Sequence, residues 1–282
     1  PASMALCKTR TSPSLSTTSF DESRFTVTAA DVFDPRDYQP KPRALEGRVI
    51  LITGASSGIG RAVALACAAA HANVVLVGRS AKKLDNVHAE ISALGTGEAS
   101  IAQLDLERAV AKDYDQLADA LLTRFGRLDG LLHNAAILGT LSTVGDYDVP
   151  LFARVMHVNV TAAFALTQVL LPALKQSADA RVLFTSSSVG RRGRAYWGAY
   201  AVSKFAIEGL SQVLAHELEG TTPICVNTIN PGATRTAMRR AAYPSEDLAR
   251  LATPESITAP YIALLGPVSR GVTGRAFDAQ RL

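Results

Sequence analysis

From Arg48 to Asn230, short β-branched apolar runs alternate with longer stretches of helical periodicity. RVILIT precedes a helix pattern over 60–71, NVVLVG one around 84–94, SIAQLDL one over 114–125, and LDGLLHN a long one over about 151–175. RVLFTSS then leads to a pattern over about 196–218, and ICVNTIN closes the series. Strands that read as nearly continuous apolar runs are covered on both faces, and strand–helix alternation requires right-handed crossovers between parallel neighbours. The fold expected is therefore α/β, a single Rossmann-type doubly wound parallel sheet of about seven strands flanked by helices. The domain is expected over 47–282, and residues 1–46, ending in the proline-punctuated DPRDYQPKPRALEG, read as a disordered or extended lead-in.

Composition removes several classes. The net charge of +4 is modest, and residues 1–46 carry equal numbers of acidic and basic side chains, so neither a nucleic-acid partner nor a membrane partner is expected. The longest uninterrupted apolar run, Ala62–Ala70, is far short of the ~20 residues that cross a bilayer. Three cysteines (Cys7, Cys67, Cys225) without CxxC spacing, and five scattered histidines, indicate no disulfide framework and no metal site. Residues 1–20 lack acidic side chains and hold nine Ser or Thr. They are expected to be disordered, as an appended remnant, a natural extension or an organelle transit peptide, and the protein itself is expected in the cytoplasm.

In a doubly wound sheet ligands bind beyond the carboxyl ends of the strands. The loop after the first strand, TGASSGIG, places Gly54, Gly58 and Gly60 between strand and helix, with Ser56, Ser57 and Ile59 among them. Glycine there permits a tight turn and lets a pyrophosphate approach backbone N–H groups at a helix N-terminus. Where the second strand ends, nineteen residues after Gly60, stands Arg79 rather than the acidic residue that would hold a ribose 2′-hydroxyl. An arginine pairs with a 2′-phosphate, so NADP(H) is expected over NAD(H), with Lys82 and Lys83 as helix-surface charges. Asp105 and Leu106 lie where an adenine would rest, and Asn134, Ala135 and Ala136 follow the fourth strand.

Taken in order, TGASSGIG, NAA, Ser187, Tyr200-x-x-x-Lys204 and NPG resemble the short-chain dehydrogenase/reductase family, from about Gly47 to Ala279. The stretch LFTSSSVGRRGRAYWGAYAVSKFAIEGL and the ending FDAQ look closer still to its bacterial YciK-type oxidoreductases. Tyr200 and Lys204, four apart on a helix, share a face, and a nearby ammonium would favour the phenolate. The resemblance makes Tyr200 the general acid or base, and twelve intervening residues select Ser187 to orient the carbonyl. On a strand Ser186 and Ser188 would point the other way. By the same resemblance Asn159 supports a water relay to Lys204, Pro231 and Gly232 shape a turn, and Thr234 or Thr236 meets the cofactor. His133-Asn134-Ala135-Ala136 departs from the family's Asn-Asn-Ala-Gly, and Pro172 is expected to end or bend its helix.

The substrate implied is a small carbonyl compound or secondary alcohol, with a loop over about 236–254 closing on it. Arg191, Arg192, Arg194, Arg239 and Arg240, with Tyr196, Trp197 and Tyr243, either meet an anionic or aromatic substrate or stay solvated or paired between subunits. A homodimer or homotetramer is implied. The competing function is a non-catalytic NADP(H)-binding regulator or scaffold, against which the complete set Ser187, Tyr200 and Lys204 argues.

Overall fold

The computed structural model describes residues 33–281, so the expectations for residues 1–20 lie outside the described residues. Seven parallel strands form one sheet: β1 (Val49–Thr53), β2 (Asn73–Gly78), β3 (Glu98–Gln103), β4 (Gly130–His133), β5 (Arg181–Thr185), β6 (Cys225–Asn230) and β7 (Arg275–Asp278). Their spatial order is β3-β2-β1-β4-β5-β6-β7. Leu51 of β1 pairs with Val75 on one side and Leu131 on the other. The chain therefore winds outward from β1 to β3, returns, and winds outward again from β4. Between β1 and β4 the connections diverge to opposite sides, which opens a crevice at their carboxyl ends.

The pleat divides β1 between two cores. Ile50 and Ile52 face α1 (Gly58–Ala69), α2 (Ala81–Leu94) and α8 (Thr258–Leu265). Val49 and Leu51 face α3 (Ala111–Phe125), α5 (Ala162–Lys175) and α6 (Gly198–Leu218). Every residue of β1, β4, β5 and β6 is buried, whereas the edge strands β3 and β7 are partly exposed. This explains why the inner strands read as unbroken apolar runs.

Phe33 to Glu46, part of the expected lead-in, lies along this domain. Leu45 is fully buried in the α1–α8 core and its N–H donates to Ala70 O at 3.0 Å, while Phe33 meets the ring of Phe277 edge-on at 6.1 Å.

Two helices depart from their expected outlines. The long pattern before β5 starts with α4 (Val149–Met156), passes through one π turn at His157–Thr161 and continues as α5. Pro172 lies inside α5, which runs on to Lys175. The proline costs the N–H that Gln168 O would accept, close enough to the helix end for the last turn to persist. Among the described residues this run, Val149–Lys175, is the helix long and apolar enough to cross a membrane by length and composition. Here Leu166, Leu170 and Ala173 pack on the sheet. The helix before β6 begins at Gly198 and not at Tyr196, which sits at φ 71° in left-handed backbone.

Candidate active site

The loop between β1 and α1 is built on backbone that only glycine fits. Gly54 has φ 67°, and a Cβ on it would lie 3.0 Å from the Ala135 Cα in the loop after β4. A Cβ on Gly60 would overlap the Gly54 carbonyl. The two loops are tied by Thr53, whose Oγ1 accepts from the N–H groups of Asn134 and Ala135, each at 3.0 Å. The Asn134 amide donates to Thr53 O at 3.3 Å, the local role expected of it. Ser57 precedes α1 without capping it through its side chain, and the first turn of α1 holds no acidic residue. The helix N-terminus thus presents unspent N–H groups to the crevice, a setting that suits a phosphate.

A cleft of about 590 Å³ runs along the carboxyl ends of the strands. It is lined by Gly54, Ser56, Ser57, Gly58 and Ile59 and, at the β2 end, by Arg79, Asp105 and Leu106. Lys83 lines that end too, although its sequence context reads as helix surface. Ala135, Ala136 and Asn134 form one wall, and Pro231, Gly232, Thr234 and Thr236 another. Gly60 packs beneath Gly54 and the Asn134 side chain and is not in the lining. The two threonines are held inside the fold: Thr236 caps α7 (Ala237–Ala242) by accepting from Arg239 N at 3.1 Å, and Thr234 is 3% exposed with its hydroxyl 3.3 Å from Pro231 O. Gln280 of FDAQ donates to Pro231 O at 2.6 Å and pins the turn. His133, at the departure from the family pattern, points into the core: it stacks on Phe184 and its Nε2 lies 2.8 Å from Thr167 Oγ1. Burial pushes it down to about 3, which keeps it neutral.

Ser187, Tyr200 and Lys204 meet in the middle of this cleft. Ser187 lies beyond β5, which ends at Thr185, and heads a short 3-10 turn over Ser188–Gly190. Its hydroxyl stands beside the Tyr200 phenol, where it favours the ionised form. Strand pleat thus does not select Ser187. What separates the serines is that Ser186 is 1% exposed and donates to Glu208 Oε1 at 2.5 Å, while Ser188 is exposed. Lys204 Nζ stands 5.5 Å from the Tyr200 ring centroid and donates to Thr185 O at 2.7 Å.

The charge states differ from the expectation that Lys204 lowers Tyr200. Both groups are buried, and desolvation disfavours whichever form is charged. Tyr200 is pushed up to about 12 by burial, partly opposed by the neighbouring Ser187 hydroxyl. Lys204 is pushed down to about 8 by burial, opposed by the charge of Glu208. Without a ligand the resting phenol is protonated.

Asn159 sits at 3% exposure in the π turn. Its Oδ1 accepts from Ile137 N at 2.8 Å, and its Nδ2 donates to Ile137 O and Ser203 Oγ, each at 3.0 Å. Ser203 in turn donates to Tyr200 O at 2.7 Å. Asn159 therefore fastens the β4 loop to the helix carrying Tyr200. Beside it lies a cavity of about 10 Å³ lined by Thr53, Asn159, Thr185 and Lys204, room for roughly one water with polar partners.

Glu208, one turn after Lys204, does not stand out in the sequence. It is a buried carboxylate that accepts from Ser186, from Thr228 Oγ1 at 2.8 Å and from Arg191 Nε at 3.1 Å. Its signal is an acidic residue at i+4 from Lys204 on the inward face of an apolar helix. Arg191 is thereby removed from the substrate candidates, since it also reaches Asp278 at 3.0 Å and Phe277 O at 2.7 Å. Arg239 is likewise paired within the chain, to Glu246 at 2.6 and 2.5 Å. Arg192 and Arg240 are exposed and line no part of the cleft. Trp197 stands 5.7 Å from Tyr200 and 5.8 Å from Tyr243, ring centroid to centroid. Tyr147 wedges against Gly139 and Gly198, neither of which has space for a Cβ, and so ties the loop after β4 to the start of α6.

The family model for short chain dehydrogenases matches residues 48–247. The chain is 48% identical to the "uncharacterized oxidoreductase YciK" of Escherichia coli K12 over 243 residues, covering 86% of this chain and 96% of that protein. A solved structure of a short-chain dehydrogenase from Pseudomonas syringae is 53% identical, with a TM-score of 0.85 over 86% of this chain and 99% of that one. Another, from Escherichia coli CFT073 in complex with NADPH, is 48% identical, with a TM-score of 0.81 over 86% of this chain and 100% of that one. The chain belongs to the short-chain dehydrogenase/reductase family.

Proposed function

We propose that this protein is an NADP(H)-dependent oxidoreductase that interconverts a carbonyl compound and a secondary alcohol. The observation that carries the proposal is the meeting of Ser187, Tyr200 and Lys204 in a cleft that the glycine loop and the bare N-terminus of α1 prepare for a dinucleotide. NADPH, when bound, supplies the hydride that goes to the carbonyl carbon. This chain's residues handle the oxygen. Tyr200, protonated because it is buried, donates its proton to the carbonyl oxygen as negative charge develops there, and takes one up in the reverse reaction. Ser187 donates a hydrogen bond to the same oxygen and holds it against the phenol.

Lys204 orients the cofactor and returns a proton towards Tyr200, and a water beside Asn159 and Thr185 links it to solvent. Arg79, exposed at the end of β2 and with no carboxylate partner among the described residues, pairs with the 2′-phosphate, with Ser56 and Ser57 alongside. Asp105 and Leu106 border the adenine, and Thr234 and Thr236 the nicotinamide end. The NADPH found in the Escherichia coli CFT073 relative supports this assignment. The same fold supports a homodimer or homotetramer, since α6 exposes a stripe of Val202, Phe205, Gly209 and Val213, at helical spacing.

The test is NADPH oxidation across ketones, aldehydes and quinones, together with titration of NADPH and NADH. Oxidation with at least one carbonyl and tighter binding of NADPH are expected. Arg79→Asp should lose the NADPH preference by about ten-fold or more, the scale of a charge-assisted pair. Failure to bind either dinucleotide contradicts the proposal.

A further inference from the structure

The two ends of the cleft differ in chemistry. Near Tyr200 the walls are apolar: Leu138, Val189, Trp197 and Met238 pack around it. With Trp197 between Tyr200 and Tyr243, three rings form an aromatic flank that leads from the reacting phenol outward. Such a flank favours a flat body that stacks on or abuts ring faces.

Three guanidinium groups line the cleft. Arg79 belongs to the β2 end. Arg239 already has a counter-ion, because both branches of its fork meet Glu246 and its plane lies 3.9 Å from the centroid of Tyr243. Arg194 differs from both. It donates from Nη1 to Tyr243 Oη at 2.7 Å and pairs with no carboxylate among the described residues. Tyr243 is thus held by stacked Arg239 on its face and holds the exposed Arg194 at its hydroxyl, which directs one branch of the Arg194 fork along the cleft and leaves the other N–H donors open to a ligand. An arginine anchored this way on an aromatic wall is prepared for a planar oxyanion.

We propose that Arg194 is the anion anchor of the substrate subsite, and that the physiological substrate is a flat, apolar carbonyl compound with a carboxylate at the end remote from the carbonyl. This rests on the carbonyl chemistry proposed for Ser187 and Tyr200. It adds orientation: the body of the substrate lies along Trp197 and Tyr243, the carboxylate meets Arg194, and the carbonyl is left at Ser187 and Tyr200. Neutral analogues of the same shape then lose the anchor but keep the flank.

The test compares acids with their methyl esters at two lengths, 4-formylbenzoate and 4′-formylbiphenyl-4-carboxylate, by NADPH oxidation in the full chain. The quantity read is the acid-to-ester ratio of kcat/KM, which cancels any general loss of activity in a variant. For the better-fitting length the parent is expected to favour the acid by about ten-fold or more, mainly through KM, as one charge-assisted contact allows. In Arg194→Gln the ratio should fall towards one, and in Arg194→Lys it should be intermediate. A parent ratio near one, a ratio that survives Arg194→Gln, or no reduction of any of the four compounds overturns the inference. Failure of the carbonyl chemistry itself shows differently, as the absence of NADPH oxidation with every ketone, aldehyde and quinone.

Discussion

Burial sets the resting protonation of the reacting pair, and Glu208 tunes it. With Tyr200 raised to about 12 and Lys204 lowered to about 8, proton donation to a carbonyl is available across neutral pH, while the ammonium is the group that titrates first. The carboxylate of Glu208 opposes the loss of the Lys204 proton. Glu208→Gln keeps an oxygen for Ser186 and Arg191 but removes that charge, so the alkaline limb of the kcat/KM profile should move to lower pH than in the parent. A profile that does not move contradicts the coupling. The same group leaves a mark on stability. Because its folded pKa lies below the ordinary 10.5, Lys204 binds more of its proton in the unfolded chain between about pH 8 and 10.5, and its own contribution to stability rises with pH across that window. Buried Cys67, Tyr200 and Tyr261, all raised by desolvation, oppose it there, so the measured quantity is the difference: urea midpoints of the ligand-free parent should rise from pH 8 to 10.5 relative to those of Lys204→Met, and parallel curves contradict the shift.

Among the elements, the glycine loop and the helix carrying Tyr200 account for the site. Gly60 has no space for a methyl because Gly54 O occupies it, and a backbone atom cannot swing aside. Gly60→Ala should therefore cost about 1–3 kcal/mol of unfolding free energy and weaken NADPH binding, checked by urea denaturation and titration. These requirements are written into the sequence locally: glycine spacing in one turn, and Tyr200 and Lys204 one turn apart on a helix. The contacts of Glu208, Arg191 and Thr53 are not, since their partners come from strands far along the chain and no fixed spacing marks them. Ser187 shows both sides of this. Its distance from Tyr200 was legible, but the end of β5 at Thr185 and the 3-10 turn that presents the serine were not. The arginines were ambiguous for a similar reason: Arg191 reaches Asp278 only through the approach of β7, Arg239 is paired only because the chain after α7 turns back to bring Glu246 to it, and Arg194 meets neither.

For the whole molecule, alternation of strands and helices made the doubly wound sheet readable, since each inner strand had to be apolar on both faces. Phe33 to Glu46 was less readable because Leu45, Phe33 and Tyr38, which pack it on the core, are scattered among prolines and charges and show no helical or strand period. The exposed stripe on α6 carries the proposed oligomer. The double variant Phe205→Asp, Val213→Asp should sediment as a monomer where the parent sediments as a dimer or tetramer, and a monomeric parent contradicts that proposal. The central claim is that Tyr200 moves the proton while the cofactor moves the hydride. It is tested most directly by NADPH oxidation with the best carbonyl from the screen, in the parent and in Tyr200→Phe that is folded and still saturable with NADPH. The expected result is a loss in kcat of about 10²–10⁴-fold. Turnover within a few-fold of the parent would contradict the account.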